Sequence, residues 1–323
     1  MDHAPYFTDV AAGPTPQAYW VRASDGVRNR IAVFSGGSRG TVLLFTGRTE
    51  YAEKYGQVAG DFVERDLSIL VVDWRGQGLS DRVAPDKRMG HVAHFLDYQR
   101  DVEAVVKAAK ELKLPKPWYL LGHSMGGAIG LRALYQGLDV TAASFTGPMW
   151  DIAMKPILRP VAFGLGYVAN VLGLTTMFAP GTGPTNYVLS APFNDNLLTT
   201  DEPSYQALRR QMETHPELSI GGPSVGWVSQ ALHEAQDLKN RPAPTLPAIT
   251  FLGTNERIVD KPAVESRMAG WTNGELVKVE GGEHELLMEG DTIRLQVIDQ
   301  MLSFFGVEAG QPGDEEQPRR ASI

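Results

Sequence analysis

Ser124 lies at the centre of a Gly-X-Ser-X-Gly pattern that spans residues 122–126. An apolar run at 118–121 precedes the pattern, and a stretch of small residues suited to a helix, 127–134, follows it. A strand, a sharp turn and a helix in this order lift a serine hydroxyl clear of the end of a sheet, where it can act as a nucleophile. Glycines flank such a serine because the turn is strained and brings the strand and the helix too close for a Cβ atom.

A second match to the pattern, at residues 222–226, centres on Ser224. The segment before it, 215–221, is too polar and too broken for a buried parallel strand. Pro223 would also place a rigid ring inside the turn. We predict instead that Ser224 lies near the start of a helix, so the sequence context selects Ser124 as the nucleophile.

A serine hydroxyl is a weak nucleophile at neutral pH and needs a neutral imidazole to accept its proton. Of the seven histidines, only His284 follows the last predicted strand, where the base of such a site is expected. The acid that orients this histidine should follow the preceding strand, 249–252. Glu256 stands in the turn just past that strand and is the favoured acid. Asp260 looks like the N-cap of the next helix and stays as the alternative.

An ester carbonyl that is attacked by serine develops a negative charge, which two backbone N–H donors can stabilise. One predicted donor is the residue after the nucleophile, Met125. The other should come from loop 46–50, which follows a predicted strand at 41–45, and by position we select the amide of Arg48. The polar loop 73–80 has no GxGxxG and no Walker lysine, so we interpret it as a structural turn.

The composition excludes several functional classes. A formal net charge of −8, with no block of Lys and Arg, argues against a nucleic-acid partner. The absence of cysteine excludes disulfides, thiolate catalysis and cysteine metal sites. Residues 1–5 have no basic and no apolar region typical of a signal peptide, so we expect a cytoplasmic protein. We also expect neither a cofactor nor a metal.

The elements that must position these residues alternate between strand and helix along much of the chain. Apolar runs predict strands at 19–21, 30–34, 41–45, 68–72, 118–121, 141–146, 249–252 and 276–279. Apolar residues at helical spacing predict helices at 55–64, from Asp97 onwards, near 261–268 and finally up to Phe305. We therefore predict an α/β fold with a mainly parallel central sheet and helices on both faces.

The alternation stops between residues 148 and 247, which are irregular and rich in proline, glycine and aromatic residues. We interpret this segment as a helical cap inserted into a core formed by residues 1–147 and 248–307. Residues 308–323 form a polar tail without apolar periodicity, for which we expect disorder.

One apolar stretch in the cap, residues 161–179, carries no charged residue. Its length would just span a bilayer, but three glycines dilute it and Pro160 and Pro180 bracket it. A cap helix over a lipid-binding pocket fits better, and a buried structural helix is the plain alternative. A helix lying in a membrane surface also stays open, which would give the cap a transient contact with the inner membrane surface.

On these residues the chain resembles the α/β-hydrolase superfamily, and within it the group of monoacylglycerol lipases and bacterial lysophospholipases L2. The resemblance runs from about residue 28 to residue 305 and rests on the segments 47–51, 73–78, 90–92, 122–127 and 256–260, with 221–224 and Trp227 in the cap pointing to the lysophospholipase branch. It implies hydrolysis of one acyl ester of a monoacyl lipid without a cofactor. It also implies the site roles proposed above: Ser124 as nucleophile, Glu256 as acid, His284 as base, and the Arg48 and Met125 amides as oxyanion donors.

The chain departs from this resemblance at Thr46-Gly47, where many monoacylglycerol lipases have His-Gly. The departure leaves the backbone donors in place but could change the preference for a head group.

Our leading hypothesis is a serine hydrolase that acts on lysophospholipids or monoacylglycerols through an acyl-enzyme. An acyltransferase or a carboxylesterase of small esters would use the same triad. A lipid-binding module on an inactive scaffold would be expected to lack a triad member.

Overall fold

Strands from both ends of the chain form one mixed sheet in the computed structural model, which describes residues 1–307. The strands are β1 (Gln17–Arg22), β2 (Arg28–Phe34), β3 (Thr41–Phe45), β4 (Ser68–Asp73), β5 (Trp118–His123), β6 (Ala142–Thr146), β7 (Ala248–Gly253) and β8 (Gly274–Val279). Their spatial order is β1-β2-β4-β3-β5-β6-β7-β8, in which β2 is antiparallel to both neighbours and the strands from β4 to β8 are parallel. This confirms the predicted fold class, while the predicted tail at 308–323 lies outside the described residues.

The helices cover both faces of this sheet and form much of the segment between β6 and β7. They are α1 (Gly56–Val63), α2 (Asp97–Glu111), α3 (Met125–Tyr135), α4 (Leu158–Val171), α5 (Tyr187–Ser190), α6 (Glu202–Thr214), α7 (Val225–Lys239), α8 (Lys261–Ala269) and α9 (Asp291–Phe304). Short 3-10 turns lie at Ala52–Tyr55, Pro216–Leu218 and Leu286–Met288. The predicted strands and core helices are thus confirmed, with the helix expected at 55–64 beginning in the first of these turns.

Alternate residues of the central strands pack into two apolar layers. In β3, Leu43 belongs to the layer under α2 and α3, whereas Val42 and Leu44 belong to the layer under α1 and α9. Every residue of β3, β4 and β5 is buried. Continuous apolar runs form these strands because both faces of a parallel sheet are covered.

Parallel strands bring their carboxyl ends to one edge of the sheet. Loop 46–50 follows β3, Ser124 follows β5, loop 254–260 follows β7 and loop 280–285 follows β8. The chain is therefore folded so that four segments from distant parts of the sequence meet at one edge, which is where α/β folds bind their ligands.

The segment 148–247 is joined to the core beside this edge. The Gly221 N–H donates to Arg88 O at 2.7 Å, and the Ser224 N–H donates to Gly90 O at 2.8 Å. Helix α7 packs against α3 of the core and against α4. The residue limits of core and cap stay a prediction.

The apolar stretch 161–179 does not form one helix. Helix α4 begins at Leu158 and ends at Val171, after which Gly173 has a positive φ of 69°. Only Gly166 and Ala169 of α4 are buried, so the alternative of a buried structural helix is wrong. Over residues 1–307, we find no helix with the length and apolar character needed to cross a membrane.

Candidate active site

Ser124 occupies the sharp turn between β5 and α3. Its φ of 50° and ψ of −117° are a strained combination for a residue with a side chain. A Cβ at Gly126 would stand 1.9 Å from Phe45 O, and a Cβ at Gly122 would stand 3.0 Å from the Gly127 Cα. The steric reason predicted for the two flanking glycines is therefore confirmed: β3, β5 and α3 approach too closely for side chains at these positions.

His284 lies between Ser124 and Glu256 and contacts both. Its Nε2 is 2.9 Å from Ser124 Oγ, and its Nδ1 is 2.6 Å from Glu256 Oε2. All three residues are buried. The other carboxylate oxygen of Glu256 accepts from the N–H groups of Ile258 and Val259 at 2.6 and 3.1 Å, which fixes its orientation. The three side chains selected in the sequence thus form one hydrogen-bonded chain.

Within this hydrogen-bonded set, His284 and Glu256 each stabilise the charged form of the other. Burial alone would lower the pKa of His284, but the neighbouring Glu256 carboxylate outweighs it, so the pKa is raised above 6.5. Burial alone would raise the pKa of Glu256, but the His284 charge and hydrogen bond, with the two backbone donors, leave it below its usual value. Glu256 is therefore ionised at neutral pH and favours the protonated imidazole that forms when His284 takes a proton.

Asp260, the alternative acid, has a different place. Its Oδ1 accepts from the Ala263 N–H at 2.9 Å and caps α8, as its position in the sequence suggested. Glu256 is the carboxylate in contact with His284.

Loop 46–50 is held by several hydrogen bonds from its surroundings. The Gly47 N–H donates to Glu50 Oε2, and the Gln77 amide donates to the carbonyls of Gly47 and Glu50 at 2.7 and 3.0 Å. Gln77 belongs to the polar loop 73–80, which acts as a structural turn, in agreement with its interpretation. Within the described part of the chain, neither the Arg48 N–H nor the Met125 N–H donates to a protein acceptor. The role of both amides as oxyanion donors stays a prediction.

A buried ionic cluster beside the triad was not predicted from the sequence. The Lys54 ammonium donates to the carboxylates of Glu50 and Glu285, and the Tyr55 hydroxyl donates to Glu50 Oε2 at 2.7 Å. Lys54 therefore links the loop after β3 to the residue next to His284. Two signals were present: the four-residue spacing of Glu50 and Lys54, and the position of Glu285 directly after the predicted base.

Three members of this neighbourhood could bring ligand atoms within 4.8 Å of one another, as a metal site requires: Glu50, His123 and Glu285. Lys54 already supplies a positive charge to both carboxylates. Burial lowers the pKa of His123 to about 4, so its ring is neutral at pH 7. We therefore interpret the cluster as an internal ion-pair network and assign no metal to it.

A cavity of about 360 Å³ opens at Ser124 and His284. Its apolar wall is formed by Met149, Ile152, Val188, Leu197, Leu198, Leu208, Met212, Trp227, Ile258 and Val259. Polar and charged groups also line it, among them Arg48 and the ionic cluster described above. No residue of α4 is among the described residues that line it, so α4 does not cover the pocket as one sequence interpretation supposed.

Ser224 also contacts a histidine, but in another setting. Its Oγ is 2.7 Å from His91 Nδ1 and accepts from the Trp227 N–H at 2.9 Å. Ser224 is therefore the N-cap of α7, as predicted from the sequence. No carboxylate contacts His91 within residues 1–307, so this pair lacks the third member of a triad.

Comparisons with known proteins show which family the chain belongs to. The family described as serine aminopeptidase S33 matches residues 36–291. Lysophospholipase L2 of Escherichia coli K12 is 30% identical over 277 residues, which cover 82% of this chain and 79% of that protein. Monoacylglycerol lipase of Mycolicibacterium smegmatis is 33% identical over 157 residues, which cover 47% of this chain and 54% of that protein.

Solved structures show the same fold. A soluble variant of monoglyceride lipase from Saccharomyces cerevisiae, in complex with a substrate analog, aligns with a TM-score of 0.71 at 19% identity. The alignment covers 95% of this chain and 100% of that one. The chain therefore belongs to the serine aminopeptidase S33 family of α/β-hydrolases, in the group of the lysophospholipases L2 and monoacylglycerol lipases.

Proposed function

We propose that this protein is a carboxylic ester hydrolase that cleaves the acyl ester of a monoacyl lipid, a lysophospholipid or a monoacylglycerol, through an acyl-enzyme on Ser124. The observation that carries the proposal is the hydrogen-bonded chain of Ser124, His284 and Glu256, which opens into an apolar cavity. The names of the relatives from E. coli and M. smegmatis support the same class of substrate.

In the first half of the reaction, Ser124 Oγ attacks the ester carbonyl carbon while its proton passes to His284 Nε2. The Glu256 carboxylate stabilises the resulting imidazolium through Nδ1–H. The carbonyl oxygen takes up negative charge and accepts hydrogen bonds from the Arg48 and Met125 amides. When the tetrahedral intermediate collapses, the alcohol leaves with the proton from His284, and the acyl group stays on Ser124.

In the second half, water replaces the alcohol. His284 takes a proton from the water as its oxygen attacks the acyl carbon, and returns that proton to Ser124 Oγ as the fatty acid leaves. The apolar wall of the cavity suits an acyl chain, because removing such a chain from water is favourable. The charged groups on the same cavity suit the polar alcohol part of the substrate.

We also propose that the cap contacts a membrane surface transiently. Ten apolar side chains between residues 157 and 177 are exposed: Ile157, Leu158, Val161, Leu165, Tyr167, Val168, Val171, Leu172, Leu174 and Met177. From residue 152 to residue 194 the sequence has no acidic residue, whereas it has Lys155 and also Arg159, which is paired with Asp151. An exposed apolar face with basic neighbours suits the surface of an anionic bilayer.

The two serines in Gly-X-Ser-X-Gly patterns provide a matched test of the nucleophile. We expect a fluorophosphonate probe to label the purified protein and the Ser224→Ala variant, but not the Ser124→Ala variant. Fatty-acid release from monoacylglycerol and from lysophosphatidylcholine should be lost with Ser124→Ala as well. Labelling that survives in Ser124→Ala, or release that does, would contradict the proposal.

A further inference from the structure

The Arg48 side chain lies at the junction of the core, the cap and the cavity. Its Nη1 donates to Gly221 O at 3.1 Å, and its guanidinium carbon lies 5.5 Å from the centre of the Trp227 ring. Arg48 and Trp227 line the same cavity as Ser124. The side chain therefore faces the cavity and contacts the cap.

This guanidinium has no carboxylate partner in residues 1–307, unlike those of the buried Arg30 and Arg75. Arg30 is paired with Glu53 and Asp73, and Arg75 is paired with Asp25 and Asp101. Burial lowers the pKa of Arg48 to about 10, so the group still carries its charge at pH 7. The half-buried Arg48 guanidinium faces the cavity without a carboxylate beside it, and an anion that enters the cavity would complete the pairing of its charge.

The carboxylates that share the cavity are already engaged. Glu50 accepts from Lys54, Tyr55 and the Gly47 amide, and Glu285 accepts from Lys54. The Nε and Nη2 groups of Arg48 donate to no protein atom in the described part of the chain, since its one hydrogen bond uses Nη1. These two nitrogens form one edge of the planar guanidinium, which matches two oxygens of a phosphate.

We propose that the Arg48 guanidinium binds the phosphate of a lysophospholipid head group and gives the enzyme a preference for phosphate-bearing monoacyl lipids over neutral monoacylglycerols. The inference rests on the proposed function, in which the Arg48 amide serves the ester carbonyl. The ester and the phosphate of a lysophospholipid are attached to the same glycerol unit. One residue can therefore offer its backbone N–H to the first group and its side chain to the second.

The test is the ratio of kcat/KM for lysophosphatidylglycerol to kcat/KM for a monoacylglycerol with the same acyl chain. A general loss of activity cancels in this ratio. We expect Arg48→Gln to lower the ratio by about tenfold or more, because it removes a charge-assisted contact with phosphate. Arg48→Lys should retain part of the preference, since it keeps the charge but not the planar pair of donors.

Arg82→Gln is the matched control. Arg82 also links the core to the cap, since it donates to Glu217 O at 2.7 Å, and burial lowers its pKa to about 10. Arg82 is not among the residues that line the cavity, so its replacement should leave the ratio unchanged. A ratio that stays constant in Arg48→Gln, or that falls equally in Arg82→Gln, would overturn the inference.

A second measurement needs no turnover of a lipid. We expect sn-glycerol 3-phosphate to slow the labelling of Ser124 by a small fluorophosphonate in the unaltered protein, more than glycerol does at the same concentration. In Arg48→Gln the two compounds should act alike. If no monoacyl ester is hydrolysed but this protection by phosphate is seen, the proposed function fails and the phosphate site stands. If esters are hydrolysed without such protection, the Arg48 inference fails alone.

Discussion

His284 is the residue at which the acid–base properties of the site are decided. Burial and the Glu256 carboxylate act on its pKa in opposite directions, and the carboxylate prevails, so that the pKa lies above 6.5. The imidazole must be neutral before it can accept the Ser124 proton. Protonation of His284 at low pH therefore removes the base, whereas loss of this proton at higher pH restores it.

We expect kcat/KM to fall in acid as a single group is protonated, with a midpoint above pH 6.5, and to reach a plateau at higher pH. The pH dependence should be measured with a soluble short-chain ester, so that the physical state of the lipid does not change with pH. A rate that stays constant down to pH 4 would contradict the assignment of His284 as the base.

Among the elements, the loop after β7 places two acidic residues in different roles within a short distance along the chain. Glu256 lies in the turn just past the strand, where its carboxylate reaches His284 and is held by two amides of the same loop. Asp260 stands at the start of α8 and caps it. The end of the strand therefore directs the Glu256 carboxylate into the site, whereas the Asp260 carboxylate caps the helix.

This difference predicts opposite outcomes for two isosteric substitutions. Glu256→Gln should keep the fold and lower kcat by about 100- to 10,000-fold, because an amide cannot stabilise the imidazolium. Asp260→Asn should keep both stability and activity, since asparagine caps helices about as well as aspartate. Ester hydrolysis and thermal unfolding of the two variants, measured side by side, check this. Loss of activity in Asp260→Asn alone would assign the acid to the wrong residue.

Over the whole molecule, charge and apolar surface are distributed unevenly. The chain has a formal net charge of −8, yet residues 152–194 contain two basic residues and no acidic residue. The same segment contains α4, in which Val161 and Val168 are 63% and 50% exposed. The proposed membrane contact therefore lies on a segment that contributes no negative charge of its own.

We expect the protein to sediment with vesicles of phosphatidylcholine mixed with phosphatidylglycerol. Val161→Glu and Val168→Glu should each weaken this binding by about tenfold, because each replaces an apolar side chain that the bilayer would bury with a charged one. Leu96→Glu is the matched control, since Leu96 is 51% exposed but lies outside the cap, before α2. Equal effects of the three substitutions would argue against a contact through α4.

Local signals in the sequence were enough to predict the strands, the core helices and the order of the candidate site residues. Continuous apolar runs predicted β3 and β4, and the context of its pattern distinguished Ser124 from Ser224, because these signals depend on residues close together in the chain. The loop after each strand was sufficient to select His284 and Glu256. Their catalytic roles remain predictions, although their side chains are in contact.

Contacts between residues far apart in the chain could be seen only in the folded structure. The contact of Lys54 with Glu285 joins segments 231 residues apart, and no local pattern encodes such a pair. The exposure of α4 depends on its packing against α7, which buries only Gly166 and Ala169 of α4. The same holds for Arg48, because its place on the cavity wall depends on where the fold brings Gly221 and Trp227 of the cap.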